Sequence, residues 1–354
     1  SSKSIIDFGI NAGVKDNLDE LASLWKAGCS AFGEIFLGES TGSMTVERDH
    51  MTAALQITRD LDALAWTHAA DQAVLESYGK LTKGDLEPES YSKSRPNLSE
   101  AVAVANSIED VMASNAKAHL CHISTREAVV SIRGAKSGSY GESGGTVTAE
   151  AAPHQLFLSN KDYNRLGTLG KMNPPLLKRR SLQYLWNGLN DGTIDILASD
   201  HAPHTEAEKQ TDIWSAPAGV PGVETMLPLM LLGVRRNLIP LPRMVEVMCT
   251  NPAMIFGLTN HKKGASGQGL DADLVLVDTA NISKVNADKL HSKAGWSPYE
   301  GMEAIFPAMT ISRGEVIWDE GIHAKKGRGK FLPGAGYEEK AQEELAAMCS
   351  IDEK

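Results

Sequence analysis

The sequence of 354 residues predicts an α/β fold in which parallel strands close into a barrel. Short apolar segments alternate with helical segments at intervals of roughly 30–50 residues, as repeated βα units do. Each apolar segment ends in a polar or ionisable residue, which is typical of the C-terminal ends of barrel strands. No glycine-rich phosphate loop follows any of these segments, and this favours a barrel over an open nucleotide-binding sheet.

Six strands and the helices between them are predicted from the hydrophobic pattern. The predicted strands are residues 4–10, 31–37, 63–67, 118–123, 144–149 and 194–199. The predicted helices are residues 18–27, 46–61 and 97–115, one that starts after Ser124 or Thr125, and one around 180–189. The last strand runs into Asp200-His201-Ala202-Pro203-His204, where Pro203 prevents the ladder from continuing.

The pattern changes after Gly264 from βα units to short alternating strands. Residues 269–278 (GLDADLVLVD) alternate like a strand, and residues 308–322 predict a hairpin around Arg313-Gly314. We therefore expect a barrel domain in residues 1–263 and a small β-sandwich-like module in 264–336 that also holds the last barrel-packing segments. The acidic tail, residues 337–354, is expected to be a surface helix or disordered.

The composition of the chain argues against nucleic-acid-binding, disulfide-rich and membrane proteins. A formal charge of −10 offers no basic surface for phosphates, which argues against nucleic-acid binding. The four cysteines are scattered without a C-x-x-C pair, as in proteins of a reducing compartment. With no membrane-spanning apolar run and no signal peptide, we expect a cytoplasmic protein that binds no membrane. The chain enters its first strand almost at once and without an initiator Met, as a fragment would.

Four ionisable residues lie in or at the ends of successive predicted strands: Glu34, His68, His122 and Asp200. Imidazole and carboxylate are ligands that zinc accepts, and strand ends around one barrel rim bring distant residues together. A carboxylate between two metals can bridge them. Taken singly, His68 or His122 is better explained as a hydrogen-bonded core histidine than as a metal ligand. Taken together, the four positions predict a metal site with an open position for water.

Several longer motifs span nearly the whole chain, from about residue 5 to residue 333. They are ASDHAPHTEAEK (198–209), LCHIST (120–125), EAAPHQL (150–156), KMNPPL (171–176), RPNLSEAVAV (95–104), GVPGVETMLPL (219–229), NPAMIFGL (251–258), GLDADLVLVD (269–278) and WSPYEG (296–301). In this order they resemble the dihydroorotases of the amidohydrolase superfamily. DHAPHT with KMNPPL and GVPGVE is specific to the dihydroorotase, allantoinase and hydantoinase group.

The resemblance implies one or two zinc ions and a cyclic amide as substrate. It implies that His68, His122 and Asp200 bind metal, and that Asp200 acts as general base and then as general acid. The reaction implied is the reversible hydrolysis of L-dihydroorotate to N-carbamoyl-L-aspartate in pyrimidine synthesis. The residues implied to contact the substrate are His204 for its carboxylate and, for its ring, Asn173 with the backbone around Ala218 and Gly219.

The chain departs from the family pattern in three places. Residues 4–10 match the family's third strand, so the His-x-His-x-Arg motif of the first strand and an Asn after the second have no counterpart here. The resemblance therefore implies a TIM-type (β/α)8 barrel whose first two strands are missing from this chain, which should not close a normal barrel by itself. Glu34 stands where many relatives carry a carbamylated lysine; it offers a bridging carboxylate or is a buried structural acid. His68-Ala69-Ala70-Asp71 replaces the usual His-Ala-Glu.

Other polar residues receive smaller roles in this interpretation. His201 is expected to hold its loop, and His119 to lie on the opposite face of its strand from His122. Arg95-Pro96 could contact substrate or simply open a helix, and the second role is favoured. Glu150 and His154 are equally explained as supports of a metal ligand or as structural residues. Lys209, with Glu206–Glu208, most resembles a solvated helical turn.

Two alternatives to a dihydroorotase remain open. The first is an allantoinase or hydantoinase. The second is an inactive dihydroorotase-like protein that supports a partner such as a carbamoyltransferase, because the first-strand motif is missing and the His68 motif is altered. A homo-oligomer is also compatible with the sequence.

Overall fold

Five parallel strands form the central sheet of the computed structural model, which describes residues 2–39, 44–141 and 143–340. The strands follow one another in the sheet in chain order. They are β1 (Phe32–Phe36), β2 (Leu64–His68), β3 (Lys117–Leu120), β4 (Thr146–Ala151) and β5 (Ile196–Leu197). Five of the six predicted strands are therefore confirmed, together with the parallel α/β class.

Helices connect the strands and cover the outside of the sheet, as right-handed crossovers require. The helices of the described residues are α1 (Leu21–Lys26), α2 (Arg48–Asp60), α3 (Gln72–Thr82), α4 (Glu89–Ser94), α5 (Asn97–Ser114), α6 (Arg126–Lys136), α7 (Pro153–Phe157), α8 (Tyr163–Leu166), α9 (Arg179–Asp191), α10 (Glu206–Lys209), α11 (Met226–Arg235), α12 (Leu241–Val245) and α13 (Asn251–Ile255). The Thr125 hydroxyl caps α6 by accepting a hydrogen bond from Ala128 N at 3.1 Å. Asn115 ends α5 in the left-handed conformation.

The predicted strand at residues 4–10 is wrong as a regular strand. Phe8 makes an isolated bridge to Phe331 and Ala12 makes another to Phe32 in β1. The backbone N–H of Phe8 donates to Lys330 O, whereas that of Ala12 donates to Ala31 O. Each pairing extends over only a few backbone hydrogen bonds, so the segment forms isolated bridges instead of a regular strand.

The first predicted helix is also shorter than expected. Residues Leu18–Glu20 form a 3₁₀ turn, and the α-helix proper begins at Leu21. Asn17 does not cap it, because its side-chain oxygen instead accepts a hydrogen bond from the backbone N–H of Lys15 at 2.8 Å.

The C-terminal part of the described chain forms small antiparallel sheets. A four-stranded sheet contains β6 (Leu274–Leu276), β9 (Met309–Ser312), β10 (Glu315–Asp319) and β11 (Gly321–Ile322), and a two-stranded sheet pairs β7 (Ser283–Lys284) with β8 (Glu303–Ala304). The predicted hairpin around Arg313-Gly314 is confirmed. The division into domains at residue 263 stays a prediction, and residues 341–354 of the predicted acidic tail lie outside the described residues.

The core lies between the sheet and its helices. Phe32 and Ile35 of β1 pack there with Leu55 of α2, Ile108 of α5 and Ile132 of α6, all fully buried. Such packing holds the strands in one register, so that the strand ends meet at one rim. Within the described ranges, no helix combines the length and the apolar character that crossing a membrane requires.

Asp7 joins the N-terminal segment to the C-terminal sheets. Its carboxylate accepts hydrogen bonds from Lys263 Nζ at 2.7 Å and Lys330 N at 2.9 Å, and its side chain is 5% exposed. Burial raises the pKa of Asp7, but these hydrogen bonds and the charge of Arg313 outweigh it and hold the pKa below its ordinary value.

The Asp7→Asn variant should therefore be less stable at neutral pH, by about 1.5–3 kcal/mol. Because the pKa of Asp7 is lowered by folding, its contribution is complete above the unfolded value of about 3.9 and disappears as the pH falls through the folded value. Urea unfolding between pH 3 and 7 should show the gap between the two proteins closing below about pH 4. The exposed Asp16→Asn variant is the control, and an equal gap at every pH would refute the prediction.

Candidate metal and active site

Glu34, His68 and His122 meet at the C-terminal rim of the sheet. His68 Nδ1 lies 2.9 Å from His122 Nε2 and 3.2 Å from Glu34 Oε1, and His122 Nε2 lies 2.9 Å from the same oxygen. Both histidines are buried, and the Glu34 side chain is 28% exposed toward the rim. The structure thus brings together three of the four residues that the strand-end pattern predicts.

The neighbouring strands fix the position of each ligand. Glu34 lies within β1 and His68 is the last residue of β2. His122 follows β3 with a positive φ of 31°, a conformation that costs energy for a non-glycine residue. The residues on either side of it stay bonded to the sheet, because Cys121 N donates to Thr67 O and Ile123 N to Glu150 O. These bonds hold the backbone in the strained conformation that directs the His122 ring into the site.

These three side chains fit a divalent metal. Hydrogen bonds alone cannot satisfy the three contacts, because the two ring nitrogens carry at most two protons between them. If both donate to Glu34, two N–H groups face each other at 2.9 Å. A tetrahedral zinc ion with bonds of about 2.0–2.1 Å holds its ligand atoms roughly 3.3 Å apart, close to the separations found here. Of the described residues, these three form the only group of histidine, cysteine and acidic side chains arranged to hold a metal.

The electrostatics of this group favour the metal-binding protonation states of Glu34 and His68 but not of His122. Burial raises the pKa of Glu34, but the hydrogen bonds from His122 and His68 outweigh it and hold the pKa well below its ordinary value. Burial lowers the pKa of His68. Burial also lowers the pKa of His122, but the hydrogen bond and the charge of Glu34 outweigh it and raise the pKa to about 10, so a metal would have to displace a proton from this ring. An ionised carboxylate and a neutral imidazole are the ligand forms that a metal requires.

Asp200 follows β5 at the same rim but stands apart from the three-residue group. It too has a positive φ, 44°, and its side chain is 25% exposed. Burial raises the pKa of Asp200 to about 6, while the His122 charge opposes the shift. A carboxyl group with such a pKa can accept and return a proton near neutral pH. Its assignment as a metal ligand stays a prediction.

Glu150 and His154 support the site from behind. Glu150 accepts hydrogen bonds from the backbone N–H of His122 at 3.3 Å and from His119 Nε2 at 3.1 Å. His119 is not part of the three-residue group, but the prediction that it lies on the opposite face is wrong. It pairs with Trp66 and Thr148, which precede His68 and Glu150 by two residues, so its side chain lies on the same face of the sheet as theirs. The buried His154 ring lies 3.4 Å from Asp200 Oδ2, and neither of its nitrogens has a hydrogen-bond partner among the described residues. Burial lowers the pKa of His154 to about 3, so the ring is neutral.

The predicted substrate residues surround a cavity of about 180 Å³ next to the metal group. The residues that line it are Glu34, Phe36, His68, His122, Asn173, Asp200, Ala202, His204, Ala218 and Gly219. His204 Nε2 donates to Ala218 O at 3.1 Å, and the Tyr91 hydroxyl donates to Asn173 Oδ1. Gly219 has φ 129°, and a Cβ there would lie 2.4 Å from Ala202 O, so only glycine lets these segments approach.

Of the predictions for the DHAPHTEAEK segment, the one for His201 is confirmed and the one for Lys209 is wrong. His201 holds its loop, as predicted, because its Nδ1 accepts hydrogen bonds from the backbone N–H groups of Gly222 and Val223. The prediction of a solvated Lys209 is wrong, since this side chain is fully buried and its Nζ donates to three backbone carbonyls. The acidic turn around it gave no sequence signal of burial.

Comparison with known proteins shows that this chain is similar to dihydroorotases in sequence and to hydantoinases in structure. Residues 38–316 match the model of the amidohydrolase family. The chain is 51% identical over 344 residues to a dihydroorotase of Methanosarcina acetivorans, covering 97% of this chain and 74% of that protein. It is 52% identical over 336 residues to a dihydroorotase of Methanosarcina mazei, covering 94% and 74%. Among solved structures, an L-hydantoinase (dihydropyrimidinase) from Arthrobacter aurescens is similar with a TM-score of 0.89 and 29% identity, covering 94% of this chain and 74% of that one.

Proposed function

The chain belongs to the amidohydrolase family, in its dihydroorotase branch, and on that premise we propose that it hydrolyses L-dihydroorotate reversibly to N-carbamoyl-L-aspartate. The observation that carries the proposal is the convergence of Glu34, His68 and His122 at the sheet rim in a chain 51% identical to a dihydroorotase. These three residues would hold the metal, for which we propose zinc.

A metal held by Glu34, His68 and His122 would polarise the ring amide carbonyl as a Lewis acid and would lower the pKa of water, so that water can lose a proton and attack the carbonyl carbon. Asp200 takes the proton that water loses and delivers it to the ring nitrogen as the bond between that nitrogen and the carbonyl carbon breaks. In ring closure the same carboxyl group returns the proton.

The cavity walls would orient the pyrimidine ring for this transfer. We propose that Asn173 and the backbone of Ala218 and Gly219 contact the ring, and that His204 binds the carboxylate. All four lie on the cavity that also exposes Asp200, so a ring held there places its amide near the proton acceptor. Pyrimidine synthesis in the cytoplasm is the cellular setting that we propose.

A side-by-side assay of the metal-loaded full-length protein tests the substrate. We expect kcat/KM for L-dihydroorotate to exceed that for hydantoin and for allantoin by about 100-fold or more, because only dihydroorotate carries a carboxylate for His204. The similarity to an L-hydantoinase structure makes a hydantoin the second candidate. A preference for hydantoin would replace the proposal, and a full-length protein that binds no zinc and turns over no substrate would favour the inactive partner protein.

A further inference from the structure

We propose that Lys209 is a positioning residue whose ammonium group fixes the backbone wall on which the pyrimidine ring rests. This inference builds on the proposed function. Lys209 is fully buried at the end of α10, and its Nζ donates hydrogen bonds to Lys171 O at 2.8 Å, Pro217 O at 3.1 Å and Gly219 O at 2.7 Å.

The three carbonyls belong to the two segments that carry the proposed ring contacts. Lys171 lies two residues before Asn173, and Pro217 and Gly219 flank Ala218. The backbone N–H of Gly219 also donates to Lys171 O at 3.0 Å, so the two segments meet at the ammonium group. An ammonium group has three N–H bonds, and here each has one carbonyl acceptor.

The same cluster extends to His204. The Lys209 ammonium lies 5.6 Å from the centre of the Trp296 ring, in cation–π range. Trp296 Nε1 in turn donates to His204 O at 2.8 Å. Lys209 thus contacts, directly or through one residue, the backbone of every proposed substrate-binding segment.

Folding stability alone does not account for a lysine at this position. Within the described ranges no carboxylate forms a salt bridge with Lys209, and the hydrogen-bond partners of its Nζ are the three carbonyl oxygens. Burial and the nearby Lys171 charge lower its pKa to about 7, and only the ammonium form, with three N–H bonds, can donate to all three carbonyls. Burying an ammonium group costs free energy that an apolar side chain of similar volume avoids. The role of the ammonium group is therefore to orient the three carbonyl groups that accept its hydrogen bonds.

A capping box fixes the direction in which Lys209 points. Glu208 N donates to the Thr205 hydroxyl, and the Glu208 carboxylate accepts from Thr205 N at 2.7 Å. The Thr168 hydroxyl donates to Lys209 O at 2.7 Å. These bonds hold both ends of the short turn, so the lysine side chain enters the wall rather than the solvent.

The test compares the Lys209→Met and Lys263→Met variants of the metal-loaded full-length protein. Lys263 is the matched control, because its Nζ also binds three oxygens, those of Asp7, Asp271 and Asp273, away from the cavity. In Lys209→Met we expect KM to rise about 10–100-fold in both directions of the reaction, with kcat within about threefold and metal content unchanged. Lys263→Met should lower Tm and leave both kinetic constants unchanged.

Glutamine at position 209 restores two N–H donors, so Lys209→Gln should give a KM between those of the wild type and Lys209→Met. A KM within twofold of the wild type in Lys209→Met, or failure of both Lys209 variants to fold, would overturn the inference by assigning Lys209 to the fold alone. The proposed function is judged separately, by whether the wild type turns over L-dihydroorotate at all.

Discussion

Replacing Asp200 by asparagine is expected to lower kcat by about 10³-fold in both directions of the reaction. Asparagine keeps the shape of the side chain but cannot accept the proton that water loses or return it to the ring nitrogen. General acid–base catalysis contributes typically about 10²–10⁴-fold, and here one carboxyl group carries both transfers. Steady-state kinetics with L-dihydroorotate and with N-carbamoyl-L-aspartate measure the effect.

Asp195 offers a matched control for this substitution. It lies on the approach to β5, at the opposite end from Asp200, and its carboxylate binds Lys136 Nζ at 2.6 Å and Ala149 N at 2.8 Å. Asp195→Asn should cost about 1–3 kcal/mol of stability and leave kcat unchanged. A kcat for Asp200→Asn within tenfold of the wild type would mean that another group transfers the proton.

The strand ends could be predicted from the sequence because they follow from periodicity alone. Apolar runs that contain Glu34 or end in His68, His122 and Asp200 predict one rim, and the structure places all four residues on one cavity. The closer grouping of the first three could not be predicted, because it depends on the register between strands and on the positive φ values of His122 and Asp200. Such backbone conformations are set by the surrounding hydrogen bonds rather than by the residue type.

The burial of Lys209 could not be predicted from the sequence, because one of its hydrogen-bond partners lies far from it along the chain. The local sequence, with Glu206 and Glu208 beside it, has the composition of an exposed turn. Its carbonyl partner at Lys171 lies 38 residues away, in a loop whose path no local pattern determines. Similarly, residues 4–10 have strand composition, but within them only Phe8 forms a bridge, to the distant Phe331, and the next bridge along the chain is at Ala12.

Replacing His122 by asparagine is expected to weaken metal binding by at least about 100-fold and to abolish most of the activity. Loss of partners that only orient a ligand already costs about 10–100-fold in affinity, and His122 is a proposed ligand itself. The substitution also leaves Glu34 with only the hydrogen bond from His68, so the remaining pair has one donor fewer for the metal. The affinity is measured without relying on turnover: each protein is dialysed against a chelator, and its remaining metal content is determined by mass spectrometry.

His261 is the control for a histidine whose role is structural. Its Nε2 donates to Pro333 O at 2.8 Å in the C-terminal part of the chain, and it does not line the cavity. His261→Asn should keep its metal through the same chelator treatment and lose at most about 1–2 kcal/mol of stability. If His122→Asn loses metal no faster than His261→Asn, the three-residue group is a buried hydrogen-bonded cluster and the proposed metal site must lie elsewhere. If only His122→Asn loses it, the unusual 2.9 Å contact between two imidazole nitrogens is explained by the ion that they share.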